Sequence, residues 1–122
     1  MAQTIVPVKL SASSDCEPLA ISSTTSSGAT TIHIASGSSG TNSFDEVYLW
    51  AINSATGTIA LELEIGSTAT AHVQVTNISA KAAPTLVLPG LRVEKGLVIK
   101  GWKGTATLNT LAVYGNVNRF SS

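Results

Sequence analysis

The sequence predicts an all-β fold, a small antiparallel β-sandwich or jelly roll, from three observations. Apolar residues recur with period two. They never hold the i, i+3, i+4, i+7 spacing of a helix over three turns. Short apolar runs alternate with clusters of Gly, Pro, Ser and Asn. A strand turns successive side chains to opposite faces, so period two is what a sheet covered on one side requires. At 122 residues the chain fits one domain around one core, with residues 1–12 a candidate extended N-terminal arm.

Taken in order, Thr4 to Leu10, Leu19 to Ser23 and Thr30 to Ala35 read as the first three strands, with a turn at Ser26-Ser27-Gly28. The stretch Ser36-Gly37-Ser38-Ser39-Gly40-Thr41-Asn42 is a low-complexity loop, too polar to fix itself by burial. Glu46 to Asn53 follows as a strand that is apolar on both faces from Val47 to Ile52. Such a strand is either central in its sheet or covered by another surface, which makes Tyr48, Trp50 and Ile52 interface candidates. After a turn over Asn53 to Gly57, Thr58 to Gly66 carries the clearest alternation: Ile59, Leu61, Leu63 and Ile65 on one face, Ala60, Glu62 and Glu64 on the other.

A hairpin turn at Gly66-Ser67-Thr68 leads to a strand read with Ala71, Val73 and Val75 inward and His72, Gln74 and Thr76 outward. Thr85 to Leu88, Leu97 to Trp102 and Thr110 to Asn118 complete nine strands. Pro89-Gly90, Glu94-Lys95-Gly96 and Gly101 to Gly104 read as turns between them. On this reading Trp102 is exposed in a turn, and Leu91 beside Arg92 forms an apolar turn. All three residues join the interface candidates.

The surface this fold presents is unusual in charge. Charged residues are 11% of the chain against roughly 25% in ordinary domains, while apolar residues are 43%. Sixteen Ser and fifteen Thr replace the missing charge with neutral hydroxyls. Seven basic and seven acidic residues leave a formal net charge of zero, so no long-range field steers the protein to nucleic acid or to an anionic membrane. A neutral surface also lacks a common barrier to self-association. The single Cys16 makes no intrachain disulfide, and the start Met-Ala-Gln-Thr lacks the charged and apolar regions of a signal peptide. Folding in a reducing cytosol is therefore expected. No apolar run approaches the ~20 residues that span a bilayer as a helix.

Chemistry-bearing residues are sparse. Nucleophilic catalysis needs a Ser, Cys or Thr beside a base, and His33 and His72 are the candidate imidazoles. Neither sits in a loop motif, and no nucleophile elbow is present, so no catalytic residue is assigned. Two His, one Cys and scattered carboxylates show no metal-ligand spacing such as CxxC or HExxH. Asp45-Glu46 and Asp15 with Glu17 are the remaining candidate cation ligands, but both pairs read as solvated charge; Asp45 and Glu46, as adjacent strand residues, would point to opposite faces and not converge. Gly101-Trp102-Lys103-Gly104 is too short for a phosphate loop. Neither a metal nor a cofactor is expected.

Three segments together carry a resemblance: Ile5-Val6-Pro7-Val8-Lys9-Leu10-Ser11; Phe44-Asp45-Glu46-Val47-Tyr48-Leu49-Trp50-Ala51-Ile52-Asn53; and Leu88-Pro89-Gly90-Leu91 through Gly96-Leu97-Val98-Ile99 to Tyr114-Gly115-Asn116-Val117-Asn118-Arg119. Across nearly the whole chain they resemble a family of small tailed-bacteriophage virion proteins. The resemblance implies a capsid decoration, or cement, protein: a non-enzymatic β-rich subunit that binds outside the shell and braces it. It further implies two partners, the major capsid protein and the chain itself as a homotrimer. The implied location is the capsid exterior, after assembly in the host cytoplasm. The competing expectation is a glycan-binding module of a tail or fibre, with Trp50 or Trp102 as its platform. A clustered aromatic face flanked by Asn, Asp or Gln would favour the glycan module, and a dry patch matching a copy of itself would favour the decoration protein.

Overall fold

The computed structural model describes residues 3–36, 43–67, 70–81, 83–104 and 111–121. The expected low-complexity loop, apart from Ser36, lies outside the described residues, as do Thr68 and Thr110 at expected element ends. Among the described residues nine strands form: β1 (Thr4–Val8), β2 (Leu19–Ala20), β3 (Thr30–Ile34), β4 (Phe44–Asn53), β5 (Ile59–Ile65), β6 (Val73–Ile78), β7 (Thr85–Val93), β8 (Val98–Lys103) and β9 (Leu111–Ser121). Two single turns of 3-10 helix, Ser26–Gly28 and Thr70–His72, are the helical segments among the described residues.

The strands divide into two antiparallel sheets. One runs β1-β9-β4-β7, with the short β2 also on β9; the other runs β3-β8-β5-β6. Each sheet turns one face inward, and the alternation read from the sequence decides which. Along β4 every odd position from Asp45 to Asn53 is buried and every even one is partly exposed. Val47, Leu49 and Ala51 meet Ile59, Leu61 and Leu63 of β5, Ile99 of β8, and Val113 and Val117 of β9 in one core cluster made wholly of aliphatic side chains. Leu10, Ile21 and Ile32 close the same core. The expectation of a β-sandwich, with Ile59, Leu61 and Leu63 facing inward, is met.

Three local readings are corrected. The Pro89-Gly90 pair is not a turn but lies inside β7, which runs on to Val93. Tyr48 pairs with Pro89 and Val47 with Leu91, so Gly90 is the extra residue of a β-bulge. Its φ of +89° and a space limited to 3.1 Å by the Tyr48 ring explain the glycine there. Gly101 and Trp102 are likewise strand residues of β8, and Trp102 is only 8% exposed. Trp102 stands opposite Glu62 in the β5–β8 register, the Ser26–Gly28 turn contacts the strand, and Lys103 N–H donates to Ser23 O at 2.8 Å. A glycine inside a strand marks close backbone approach as readily as a turn.

The third correction is the phase of β6. Residues paired across a sheet share a face. The partners of inward Ile59, Leu61 and Leu63 are Ile78, Thr76 and Gln74. Gln74 and Thr76 therefore face in, while Val75 is exposed. The 3-10 turn at Thr70–His72 delays the strand start, and pairing with β5 then sets the phase. Gln74 tolerates the interior because its Nε2 donates to Val87 O at 2.8 Å, joining β6 to β7 of the opposite sheet.

The N-terminal segment belongs to the sandwich over β1, whose register runs from Thr4 opposite Ser121 to Val8 opposite Val117. Beyond Val8 the chain leaves that sheet. Leu10 enters the core, Ala12 N–H donates to Ile32 O of β3, and β2 then returns to the same strand, β9.

Candidate docking face

Two places gather functional side chains, one inside the sandwich and one outside it. The inner one centres on Asp45, fully buried in phase with Val47, Leu49 and Ala51. A buried carboxylate requires donors on both oxygens, and five converge. His33 Nε2–H donates to Oδ2 at 2.7 Å and Ser36 N–H to the same oxygen at 3.1 Å; Ser36 Oγ donates to Oδ1 at 2.8 Å. Arg119, the cross-strand partner on β9, forks onto both oxygens with Nε at 2.9 Å and Nη2 at 3.1 Å. Burial pushes the Asp45 carboxyl up, but the Arg119, His33 and Ser36 hydrogen bonds outweigh it and hold the group well below the usual carboxylate range. Asp45 is thus not the solvated charge expected, although its neighbour Glu46 does point the other way, as expected.

The same network brings a serine and a histidine together, a juxtaposition that no local sequence pattern announces. Ser11 Oγ lies 3.2 Å from His33 Nδ1. In line with Asp45 on the other ring nitrogen, this is a serine–histidine–aspartate chain. Its hydrogen bonds are those of a clamp. Ser11 N–H already donates to Nδ1 at 3.1 Å, and Ser11 Oγ accepts Ile34 N–H at 2.6 Å. The lone pair a general base would use and the oxygen a nucleophile would offer are both engaged with backbone. The chain pins the segment after β1 to β3, and through Asp45 to β4 and β9. His72 stands apart, exposed in its 3-10 turn, with Nδ1–H donating to Ile65 O at 3.0 Å. Among the described residues no group of three or more His, Cys, Asp or Glu could hold a metal ion.

The outer place is the solvent side of the five-stranded sheet. The even residues of β4 pair with β9 as Phe44 with Phe120, Glu46 with Asn118, Tyr48 with Asn116 and Trp50 with Tyr114. Five of the six aromatic residues stand there, outside an aliphatic core that is complete without them. At one end Phe44 and Phe120 stack with centroids 4.5 Å apart, and the Arg92 guanidinium lies 3.9 Å over the Phe44 ring. At the other end Trp50 and Tyr114 lie near-parallel at 6.1 Å, with Leu86 of β7 opposite Trp50. A polar belt divides the two ends: Asn118 donates to Glu46 Oε1 at 3.2 Å, and Tyr48 sits two residues along. Hydrogen bonding to Glu46, reinforced by its charge, holds the Tyr48 phenol above its ordinary value.

Of the six interface candidates, the structure brings Tyr48, Trp50, Ile52 and Arg92 to this face. Leu91 pairs with inward Val47 and packs partly against the core, and Trp102 lies on the other sheet. Phe44, Tyr114 and Phe120 were missed. The signal for them was present: Phe44 is in phase with Tyr48 and Trp50, and Tyr114 and Phe120 are in phase with each other. Comparison with protein-family models, with curated proteins and with solved structures finds no match.

Proposed function

We propose that this chain is a non-enzymatic structural protein of a phage virion, which docks on the exterior of the capsid shell and stabilises it. The major capsid protein and further copies of the chain, as a homotrimer, are its partners. The observation that carries this reading is the set of aromatic side chains on the outer face of the five-stranded sheet, over which no described segment folds. Aromatic side chains bury 150–250 Å² each when covered. At roughly 25 cal/mol per Å², covering a few hundred Å² contributes several kcal/mol before the cost of association. Neutral net charge and a hydroxyl surface suit life in a crowded assembly. The Ser11–His33–Asp45 clamp, with backbone on both reactive atoms, supports a role without chemistry.

The test is to add purified protein to shells lacking it and to measure co-sedimentation and resistance to heat. Saturable binding that raises the rupture temperature is expected, with Trp50→Ser reducing it. Shells that neither bind the protein nor gain resistance would refute the proposal. The glycan-binding alternative meets the criterion set for it from the sequence, a clustered aromatic face flanked by Asn: the near-parallel Trp50 and Tyr114 rings share their face with Asn116, Asn118 and Glu46. Quenching of tryptophan fluorescence by oligosaccharides, lost in Trp50→Ser, would decide for it.

A further inference from the structure

His33 is fully buried, and each of its ring nitrogens meets a group whose hydrogen-bonding role cannot be reversed. On Nε2 lies Asp45 Oδ2 at 2.7 Å, a carboxylate held ionised, which only accepts. On Nδ1 lies the backbone N–H of Ser11 at 3.1 Å, which only donates. The two partners together fix the ring as a neutral tautomer, with its proton on Nε2 and a lone pair on Nδ1. No other form of the ring satisfies both.

A second proton can enter only at Nδ1, where it would face the Ser11 N–H donor to donor. The Ser11 hydroxyl, 3.2 Å from Nδ1, can turn to accept that proton, because Ile34 N–H occupies one of its two lone pairs. The amide has no such freedom and must move off the ring. Its surroundings allow this: Ser11 and Ala12 are exposed, so water can take the released N–H, and the adjoining bond from Ala12 N–H to Ile32 O is long at 3.3 Å. The charged groups around the ring are Asp45 from β4, Arg119 from β9 and Lys9 from the segment after β1. Arg119 is committed to Asp45, and the Lys9 ammonium is held by Ser13 O at 2.7 Å and Ser11 O at 3.4 Å. On β8 the residue opposite His33 is Ile99. Asp45 keeps its charge wherever an imidazole titrates, so an added proton leaves the Nε2 bond in place and acts on the Nδ1 bond alone.

We infer that His33 is a proton-operated latch: the neutral ring holds the Ser11 backbone against β3, and the protonated ring releases it while the bonds among His33, Asp45 and Arg119 persist. The direction follows from the donor roles. The hold on Ser11 is present at alkaline pH and is lost as pH falls through the range, about 8 to 5, in which imidazoles titrate. What loosens is the link between β1 and β2, and the core strands keep their pairing. The inference uses no part of the aromatic face and stands whether or not that face docks on a shell.

The experiment is nuclear magnetic resonance on the whole chain from pH 8 to pH 5, following the ring nitrogens of His33 and the exchange protection of single amides. At pH 8 the nitrogen shifts should show a proton on Nε2 and none on Nδ1. As Nδ1 takes up its proton, the Ser11 amide should lose about tenfold in protection, corrected for the intrinsic pH dependence of exchange, while Val47, Leu49 and Val113 keep theirs. His33→Gln supplies the control, because its side-chain oxygen can accept from Ser11 and its N–H₂ can donate to Asp45, yet it does not titrate. In that variant Ser11 should stay protected down to pH 5. Three results would each overturn the inference: a proton on Nδ1 at pH 8, a ring that stays neutral to pH 5, or Ser11 protection that does not follow the ring. A His33→Gln protein with the pH response of the parent would also overturn it, by assigning the response to another group. Should His33→Gln not fold, the ring shifts and Ser11 protection of the parent decide alone.

Discussion

The two faces of β4 are made by one run of ten residues and end in opposite conditions. Its odd side holds Asp45, Val47, Leu49, Ala51 and Asn53, all buried, with every polar group answered: Asp45 by five donors, and Asn53 by Gly57 O, Ile78 O and Ala55 N–H, each at 2.9 Å. Its even side holds Phe44, Glu46, Tyr48, Trp50 and Ile52, larger and more apolar in total, yet partly open to water. The side that determines the fold is small, aliphatic and hydrogen-bonded; the side left over is aromatic. Fold stability and surface recognition are thereby separated onto alternate residues, and substitutions should affect one without the other.

The largest effect belongs to the inner side. Asp45→Ala leaves Arg119, His33 and the Ser36 donors without their acceptor, and should lower unfolding free energy by about 3–5 kcal/mol, measured by urea titration. Acid should act on the same group. Because the folded carboxyl is held below its unfolded value, its contribution is present above about pH 4 and is lost as pH falls from there toward the folded value. A urea midpoint that does not fall on acidification below pH 4 would separate Asp45 from stability.

Gly115→Ala comes next. A Cβ there would overlap the carbonyl oxygen of Tyr48 on the neighbouring strand, forcing β4 and β9 apart. Thermal unfolding should show a loss of about 1–3 kcal/mol. Trp50→Ser, on the outer side, should lose about 1–2 kcal/mol while keeping its fold by circular dichroism; collapse of the fold would show that the even side is also core. Arg92→Ala is the smallest. Removing a half-exposed cation–π contact should change stability by about 0.5–1 kcal/mol, and an effect as large as that of Asp45 would end the separation of the two sides.

How far the sequence disclosed this division depends on where each strand was taken to begin. Alternation over Ile59 to Ile65 specified its face because four aliphatics and two glutamates agree. In β4 the same period, carried two residues back from Val47, places Asp45 inside; beginning the strand at Glu46 hid it. Arg119 was hidden for another reason. It completes the site from 74 residues away, and no local pattern states which strand lies beside which. Pro89-Gly90 shows the limit of turn chemistry, since one residue pair serves a turn or a bulge and only the pairing with Tyr48 decides. The face of β6 failed because Val73 and Val75 outweigh Gln74 in hydrophobicity, while the cross-sheet bond of Gln74 appears only in three dimensions.

The position of β9 has a consequence for synthesis. It lies between β4 on one side and β1 and β2 on the other, and it follows all three in the chain. Translation therefore delivers its partners first, and each must wait. Until residues 111–121 leave the ribosome, β1 and β2 have no strand to join, and Asp45 lacks its arginine. The five-stranded sheet closes only as a late event, through contacts distant in sequence, which is the slow regime of folding. During that wait both apolar sides of β4 are exposed beside copies on neighbouring ribosomes. A chain with so little charge to keep such intermediates apart should accumulate less soluble protein when translation outpaces closure. Slowing synthesis should then raise its yield more than strengthening any single contact of the finished fold.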